Sequence, residues 1–238
     1  MIRILHASDL HGLVSRLWSQ PGMKYDMVIL TGDMLPNWRR GPDGGREAER
    51  QRQWLLRKEK QKHPGHRLDM MMREFDERPV IVVDGNHDFM ELGEFMLAHG
   101  HTNVHPIRLG EVIELFGHDF TGFPHIPYIA GEWNNEARVP ELHDYSDIVM
   151  SLDPTILVMH SPPAGFLDRG YGIRPITNRL LYGRHRVVHY FCGHVHQAGG
   201  RDATMITDDD HQIHVHNAAT AIRLIDIEEG PGVARDSG

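Results

Sequence analysis

The run Val80-Ile81-Val82-Val83 passes directly into Asp84-Gly85-Asn86-His87-Asp88. Consecutive β-branched residues bounded by a Gly-containing turn read as a buried strand rather than a helical segment. The turn itself is rich in oxygen and nitrogen donors. The same design recurs along the chain. Ile2–Leu5 leads into Ala7-Ser8-Asp9-Leu10-His11-Gly12, and Met27–Leu30 leads into Thr31-Gly32-Asp33. Ile156–Met159 leads into His160-Ser161-Pro162-Pro163, and Val187–Phe191 leads into Cys192-Gly193-His194-Val195-His196.

Helical spacing separates some of these runs. Leu68, Met71, Met72 and Phe75 fall at i, i+3, i+4 and i+7, and Leu92, Phe95, Met96 and His99 repeat the pattern before Gly100. Further strands are expected near Glu111–Phe116, Ala203–Thr207, Gln212–His216 and Ala221–Ile227. Alternating strands and helices followed by a strand-rich end predict a layered α/β architecture. The length of 238 residues suits one domain, expected over 1–229, with a loose tail over 230–238.

Composition narrows the class. Charged residues make up 24% and apolar residues 40%, as in ordinary globular proteins. The formal charge of −8 argues against a general nucleic-acid binder, without excluding nucleotide substrates. Cys192 is the single cysteine, so no internal disulfide forms. The N-terminus lacks a long apolar stretch, and no later run approaches the roughly 20 residues of a membrane helix. A soluble, cytoplasmic protein without membrane partners is expected, and the oligomeric state is not readable. One segment departs from the average. Residues 39–78 hold 12 Lys/Arg against 8 Asp/Glu, and Pro64-Gly65 splits them into two helices. This segment reads as a solvated helical face or as an electrostatic guide for an anionic substrate.

The strand ends supply Asp9, His11, Asp33, Asn86, His87, His160, His194 and His196. Ligands gather at the carboxyl ends of strands in open α/β sheets, so separate loops converge on one pocket. Carboxylate, imidazole and amide donors without thiolate suit two divalent ions, manganese first and iron, zinc, nickel, cobalt or magnesium as alternatives. His194 and His196 are expected to point to opposite sides of an extended chain, one serving each ion. Asp33 is the candidate bridge, one oxygen to each. Two metals about 3.5–4 Å apart suit phosphoryl chemistry: a bridging water loses its proton and attacks phosphorus in line. His6, His99, His118, His185 and His189 read as ordinary core or surface residues. His211, His214 and His216 read as an exposed sheet face.

The ordered set Asp9-Leu10-His11, Gly32-Asp33, Gly85-Asn86-His87-Asp88, His160 and Gly193-His194-Val195-His196 resembles the calcineurin-like metallophosphoesterase superfamily. That resemblance covers about residues 1–228 and implies a four-layer αββα sandwich with two mixed β-sheets. It implies that Asp9, His11, Asp33 and His196 hold one metal and that Asp33, Asn86, His160 and His194 hold the other. His87 would contact the substrate phosphate and assist the leaving group. The stretch His160-Ser161-Pro162-Pro163-Ala164-Gly165-Phe166-Leu167-Asp168, with Asn217-Ala218-Ala219, is similar to the MPPED-type branch, which includes phosphodiesterases. Protein phosphatases of the superfamily carry G-D-x-x-D-R-G; here Gly32-Asp33 continues as Met34-Leu35-Pro36-Asn37, which disfavours that activity.

A phosphodiesterase acting on a nucleotide or similar small diester is therefore expected. A phosphomonoesterase, a nuclease and a non-catalytic scaffold follow in that order. Phe123, Tyr128 and Arg39 are the expected substrate contacts besides His87. Trp133-Asn134-Asn135, Phe166, Leu167 and Tyr171 are further candidates for the pocket wall.

Overall fold

The chain builds one sheet, then a second, and returns to the first to finish. This is a computed structural model; it describes residues 1–18, 22–37, 46–58 and 65–230. Strands β1 (Ile2–Ala7), β2 (Met27–Thr31), β3 (Val80–Val83) and β4 (Val104–Pro106) lie side by side and parallel. The second sheet takes β5 (Ile113–Leu115), β6 (His118–Thr121), β9 (Ile156–Val158), β10 (His189–Cys192), β11 (Arg201–Ile206) and β12 (Gln212–Asn217), in the order β11-β12-β10-β9-β6-β5. Between β6 and β9, the short strands β7 (Ile126–Pro127) and β8 (Glu136–Ala137) pair with each other. Strand β13 (Ile222–Ile227) closes the first sheet antiparallel to β1. Both large sheets are mixed, as the family resemblance implies.

Three apolar layers follow from the two-residue alternation of the strands. Ile2, Ile4, Ile29, Ile81, Phe120, Val158 and Phe191 fill the space between the sheets. On the outer side of the first sheet, Leu5, Val28 and Val82 meet helices α1 (Ser15–Trp18), α2 (Glu47–Leu55), α3 (Arg67–Phe75) and α4 (Leu92–Ala98). On the outer side of the second, Leu157, Tyr190 and Val215 meet α5 (Val139–Ser151) and α6 (Arg174–Tyr182). The order is helix, sheet, sheet, helix.

Both helices expected in the basic segment are present as α2 and α3, although residues 38–45 and 59–64 lie outside the described residues. Of the expected tail, only Gly230 is described. Helix α5 is absent from the sequence reading because one of its three core positions is a serine. Leu142, Ser146 and Val149 are buried, and the Ser146 hydroxyl donates to the Leu142 carbonyl at 2.6 Å. The expected exposed histidine face is corrected by the structure. Alternation on β12 turns Ile213 and Val215 to the helices, so His214 and His216 face the first sheet. His214 is exposed near the edge, but His216 is only 8% exposed.

Candidate metal centre

All the chemistry-bearing loops leave the carboxyl ends of β1, β2, β3, β9 and β10. Three of these strands are in one sheet and two in the other, so the loops meet along one shared edge of the sandwich. Asp9, His11, Asp33 and His194 have left-handed backbone, with φ of 53°, 46°, 54° and 64°. Such conformations are costly for residues with a Cβ and persist where surrounding structure enforces them. Here they turn the side chains out of the pleat and toward a common point.

Donor atoms converge in overlapping sets: Asp9, His11 and His196; His11, Asp33 and His87; Asp9, Asp33 and His160. The His196 Nε2 atom is 3.0 Å from Asp9 Oδ1 and 3.4 Å from His11 Nε2. In the third set, His160 Nδ1 donates to the Thr31 carbonyl at 2.7 Å, which leaves Nε2 facing the other donors. That atom faces Asn86 Oδ1 at 3.0 Å and Asp33 Oδ2 at 3.5 Å. Several electron-pair donors aimed at one point suit a cation there, and the donor set fits two divalent ions. His194 completes the cluster, its ring 5.1 Å from that of His160.

One detail of the sequence reading changes. His194-Val195-His196 is not extended: His194 is left-handed and His196 begins a 3-10 turn. The rings still separate, toward His160 and Asp9 respectively, but a turn separates them rather than a pleat. The two oxygens of the Asp33 carboxylate have different surroundings. Its Oδ1 accepts the His87 N–H at 2.7 Å, leaving Oδ2 facing both His160 and, at 3.8 Å, His87 Nε2.

Burial and charge oppose each other in the centre. Asp9 and Asp33 are 2% and 1% exposed. Burial works to raise the Asp33 pKa, but His160, His87 and His11 hold it well below the usual carboxylate range. Burial likewise works to lower His160, yet Asp33 and Asp9 push it up to about 10. Burial and His160 lower His194 to about 4. Two buried carboxylates thus draw positive charge to this point, as a cation site does.

A supporting shell fixes the ligands, and the sequence reading gave it no role. Asp88 accepts N–H bonds from Asp33 (2.7 Å), Gly85 (2.9 Å) and Leu35 (3.0 Å), tying two ligand loops together. Asp9 Oδ2 accepts from the Ser8 hydroxyl at 2.6 Å and the His194 N–H at 2.9 Å. A Cβ at Gly193 would land on Ser8 Oγ and Asp9 Oδ2, and one at Gly85 on the Asp33 carboxylate. These glycines are therefore needed for close approach. Asp88 had a signal, a carboxylate directly after the Asn86-His87 pair; Ser8 had only its place beside Asp9.

Over the ligands lies a cleft of about 340 Å³. Ile129, Trp133, Tyr171, Val195 and Gln197 form its wall above Asp33, Asn86, His87, His194 and His196. The Trp133 ring packs 4.2 Å from that of His87, and Tyr171 stands 6.2 Å from His194. Two of the other expected contacts are corrected, and the third is not described. Phe123 is fully buried between the second sheet and its helices, because the core claims its ring. Tyr128 is half exposed outside the cleft, under the Arg138 guanidinium. Arg39 lies outside the described residues.

A family model described as calcineurin-like phosphoesterase matches residues 2–198, and the chain belongs to that family. It is a metallophosphoesterase, a metal-dependent phosphoric ester hydrolase. The fold is similar to that of the protein TT1561 of Thermus thermophilus, with a TM-score of 0.55 at 12% identity over 95% of this chain and 99% of that one. It is also similar to a dimetal phosphatase from Danio rerio, with a TM-score of 0.52 at 13% identity over 91% of this chain and 87% of the other. A comparison with curated proteins gives no match. Among the described residues no helix is long and apolar enough to cross a membrane.

Proposed function

We propose that the protein is a phosphodiesterase acting on a nucleotide or similar small diester. The observation that carries this reading is the character of the cleft. Its described lining offers Ile129, Trp133 and Tyr171 but no Lys or Arg. A diester brings one negative charge and a second organic group. The charge is met at the metal centre, and the group needs an apolar or aromatic wall. A monoester dianion brings more charge and no second group. A nuclease needs a basic groove for successive phosphates, which the described lining does not offer. A larger cavity, about 810 Å³, shares the Asn134–Asn135 turn, but its Arg108 is paired with Glu94, and Glu91 adds a further carboxylate, so it is unsuited to phosphate. The His160–Asp168 stretch supports the MPPED-type branch and the same activity.

Asp9, His11, Asp33 and His196 would hold one ion, and Asp33, Asn86, His160 and His194 the other. Manganese is the proposed pair, in a cytoplasmic protein. When bound, the ions supply a water of lowered pKa and offset charge on the phosphoryl oxygens. The protein's own contribution is placement and proton transfer. Asp33 holds the His87 backbone at 2.7 Å, and the His87 ring faces the ligand oxygens. As the new P–O bond forms and the ester P–O bond breaks, His87, as the imidazolium that Asp33 favours against the opposing effect of burial, gives its Nε2 proton to the departing oxygen and is left neutral. Trp133 and Tyr171 receive the organic groups and shield the reaction from bulk water.

The test is metal-stripped protein refilled with manganese, assayed on bis-p-nitrophenyl phosphate and p-nitrophenyl phosphate. A higher kcat/KM on the diester is expected. A higher value on the monoester replaces the proposal with a phosphomonoesterase. Trp133→Ala is expected to lower kcat/KM more for a nucleoside p-nitrophenyl diester than for methyl p-nitrophenyl phosphate. An unchanged ratio removes Trp133 from the wall.

A further inference from the structure

Helix α2 lies in the basic segment and exposes Arg50 and Arg52 to solvent. Its inward stripe is Glu47, Gln51 and Leu55, at i, i+4 and i+8. Gln51 is 0% exposed. A buried primary amide is costly unless its donors and acceptor are used. Gln51 Nε2 donates to the His87 carbonyl at 2.7 Å and to the Pro36 carbonyl at 3.2 Å. Its Oε1 accepts the Phe89 N–H at 2.8 Å. One side chain therefore holds the peptide units immediately after His87 and joins them to the loop that follows Asp33.

The rest of the His87 loop is held from the opposite part of the sequence. Asn135 Nδ2 donates to the Gly85 carbonyl at 3.0 Å, the Asn134 N–H to Asn86 at 3.0 Å, and Asn134 Nδ2 to Asp88 at 2.7 Å. Each carbonyl from Gly85 to Asp88 thus has a donor from outside the loop, and at His87 that donor is Gln51. The imidazole has no comparable anchor of its own. Its Nδ1 is buried without a hydrogen-bond partner, and its Nε2 is 3.8 Å from Asp33 Oδ2. The ring is oriented by packing on Trp133 and His11 and by where the backbone places its Cα.

We propose that Gln51 is a positioning residue for His87. It fixes the chain beside His87 relative to the Asp33 loop, so that the imidazole meets the departing oxygen. It also gives the basic segment a part in the reaction that its surface charge does not reveal. The proposal rests on the reading of His87 as the group that assists the leaving oxygen. Misplacement by about 1 Å costs up to about 100-fold in rate, because proton transfer and in-line displacement tolerate little disorder.

The experiment uses the full chain loaded with manganese. Gln51→Leu keeps the bulk and removes all the bonds. Gln51→Glu keeps the acceptor for Phe89 and sets a carboxylate against two carbonyls. Each is made alone and combined with His87→Ala, with metal content and melting temperature measured alongside kcat and KM. Gln51→Leu is expected to lower kcat about 10- to 100-fold with KM within about threefold and metal content equal to the parent's. The loss is expected to be larger on diphenyl phosphate than on bis-p-nitrophenyl phosphate, whose leaving group needs less help. In the His87→Ala background the same substitution is expected to change kcat less than about twofold, since the two residues act as a unit. Full kcat in Gln51→Leu, or an equal loss with and without His87, overturns the proposal. Should the leucine variant not fold, Gln51→Glu carries the same comparison. If His87→Ala alone leaves diester cleavage unchanged, the role given to His87 fails and this proposal falls with it. If His87→Ala slows cleavage and the Gln51 variants do not, the positioning role alone fails.

Discussion

Two histidine clusters occupy this sandwich, and they are organised in opposite ways. At the shared edge, His11, His160 and His196 converge with Asp9 and Asp33 so that donor atoms meet in overlapping groups. Between the sheets, His189 lies over His214 and His216 with ring centroids 5.4 Å away in each case and interplanar angles of 31° and 24°. Near-parallel rings present faces to one another, and their nitrogens form a chain instead of a cage. His189 Nδ1 is 3.2 Å from His216 Nε2, His216 Nδ1 is 2.8 Å from Asp202 Oδ1, and Arg223 pairs with Asp202. Among the described residues this second cluster yields no group of convergent metal donors. The difference comes from the backbone. Neighbouring strands in register hold their side chains parallel, as His189 and His214 do. Left-handed turns at strand ends aim them inward, as at Asp9, His11, Asp33 and His194.

The largest effect expected is at the carboxylate shared by the convergent groups. Supporting residues around a metal are worth about 10- to 100-fold, so Asp33→Asn should cost at least about 100-fold in kcat/KM and lose bound metal. Elemental analysis decides the point: full occupancy would separate Asp33 from metal binding. Gly193→Ala strikes the turn without replacing a ligand residue. Its Cβ would displace Ser8 and Asp9, and a fall of about 10- to 100-fold in metal affinity is expected. Calorimetric titration with manganese checks this, and unchanged affinity would mean that the loop absorbs the methyl group.

The inter-sheet cluster should respond to acid and not to metal. Burial, with His216, His214 and His118, lowers His189 from 6.5 to about 3. A histidine whose folded pKa is depressed favours folding fully above pH 6.5, and that contribution is lost as pH falls toward 3, because the unfolded chain takes up the proton first. His6 from β1, with Arg223 and Asp202 beyond His216, shares the same space, and burial lowers His6 and His216 in the same direction. His189→Phe should therefore narrow the gap between urea midpoints at about pH 7 and about pH 5. An unchanged gap would assign the acid sensitivity elsewhere. The smallest effect is expected at the exposed His214, where glutamine should leave activity intact and stability within about 0.5 kcal/mol.

Much of this contrast is legible in the chain. Each ligand position follows a strand marked by Ile and Val, and turns carrying Asp, Asn, His and Gly mark where donors gather. The inter-sheet cluster is misjudged from sequence because alternation on β12 reports two faces but not which one meets the first sheet. Phe123 is misplaced for a related reason. An aromatic residue beside a predicted pocket fits the wall and the core equally well until the sheet and helices close on it. Gln51 has no local signal beyond its stripe with Glu47 and Leu55, since its three partners lie in loops 15 to 38 residues away.

Residue type and order were enough to give the class of fold, the family and the candidate metal-binding donors, because all three are legible without coordinates. Packing settled which oxygen of Asp33 takes the His87 N–H, which rings line the cleft and which side chains bond the loop around His87. Those outcomes depend on approaches of about 3 Å between loops far apart in the chain, where hydrogen-bond geometry is selective. Local pattern carries no information about such distances, because they are set only when both sheets and their helices pack together.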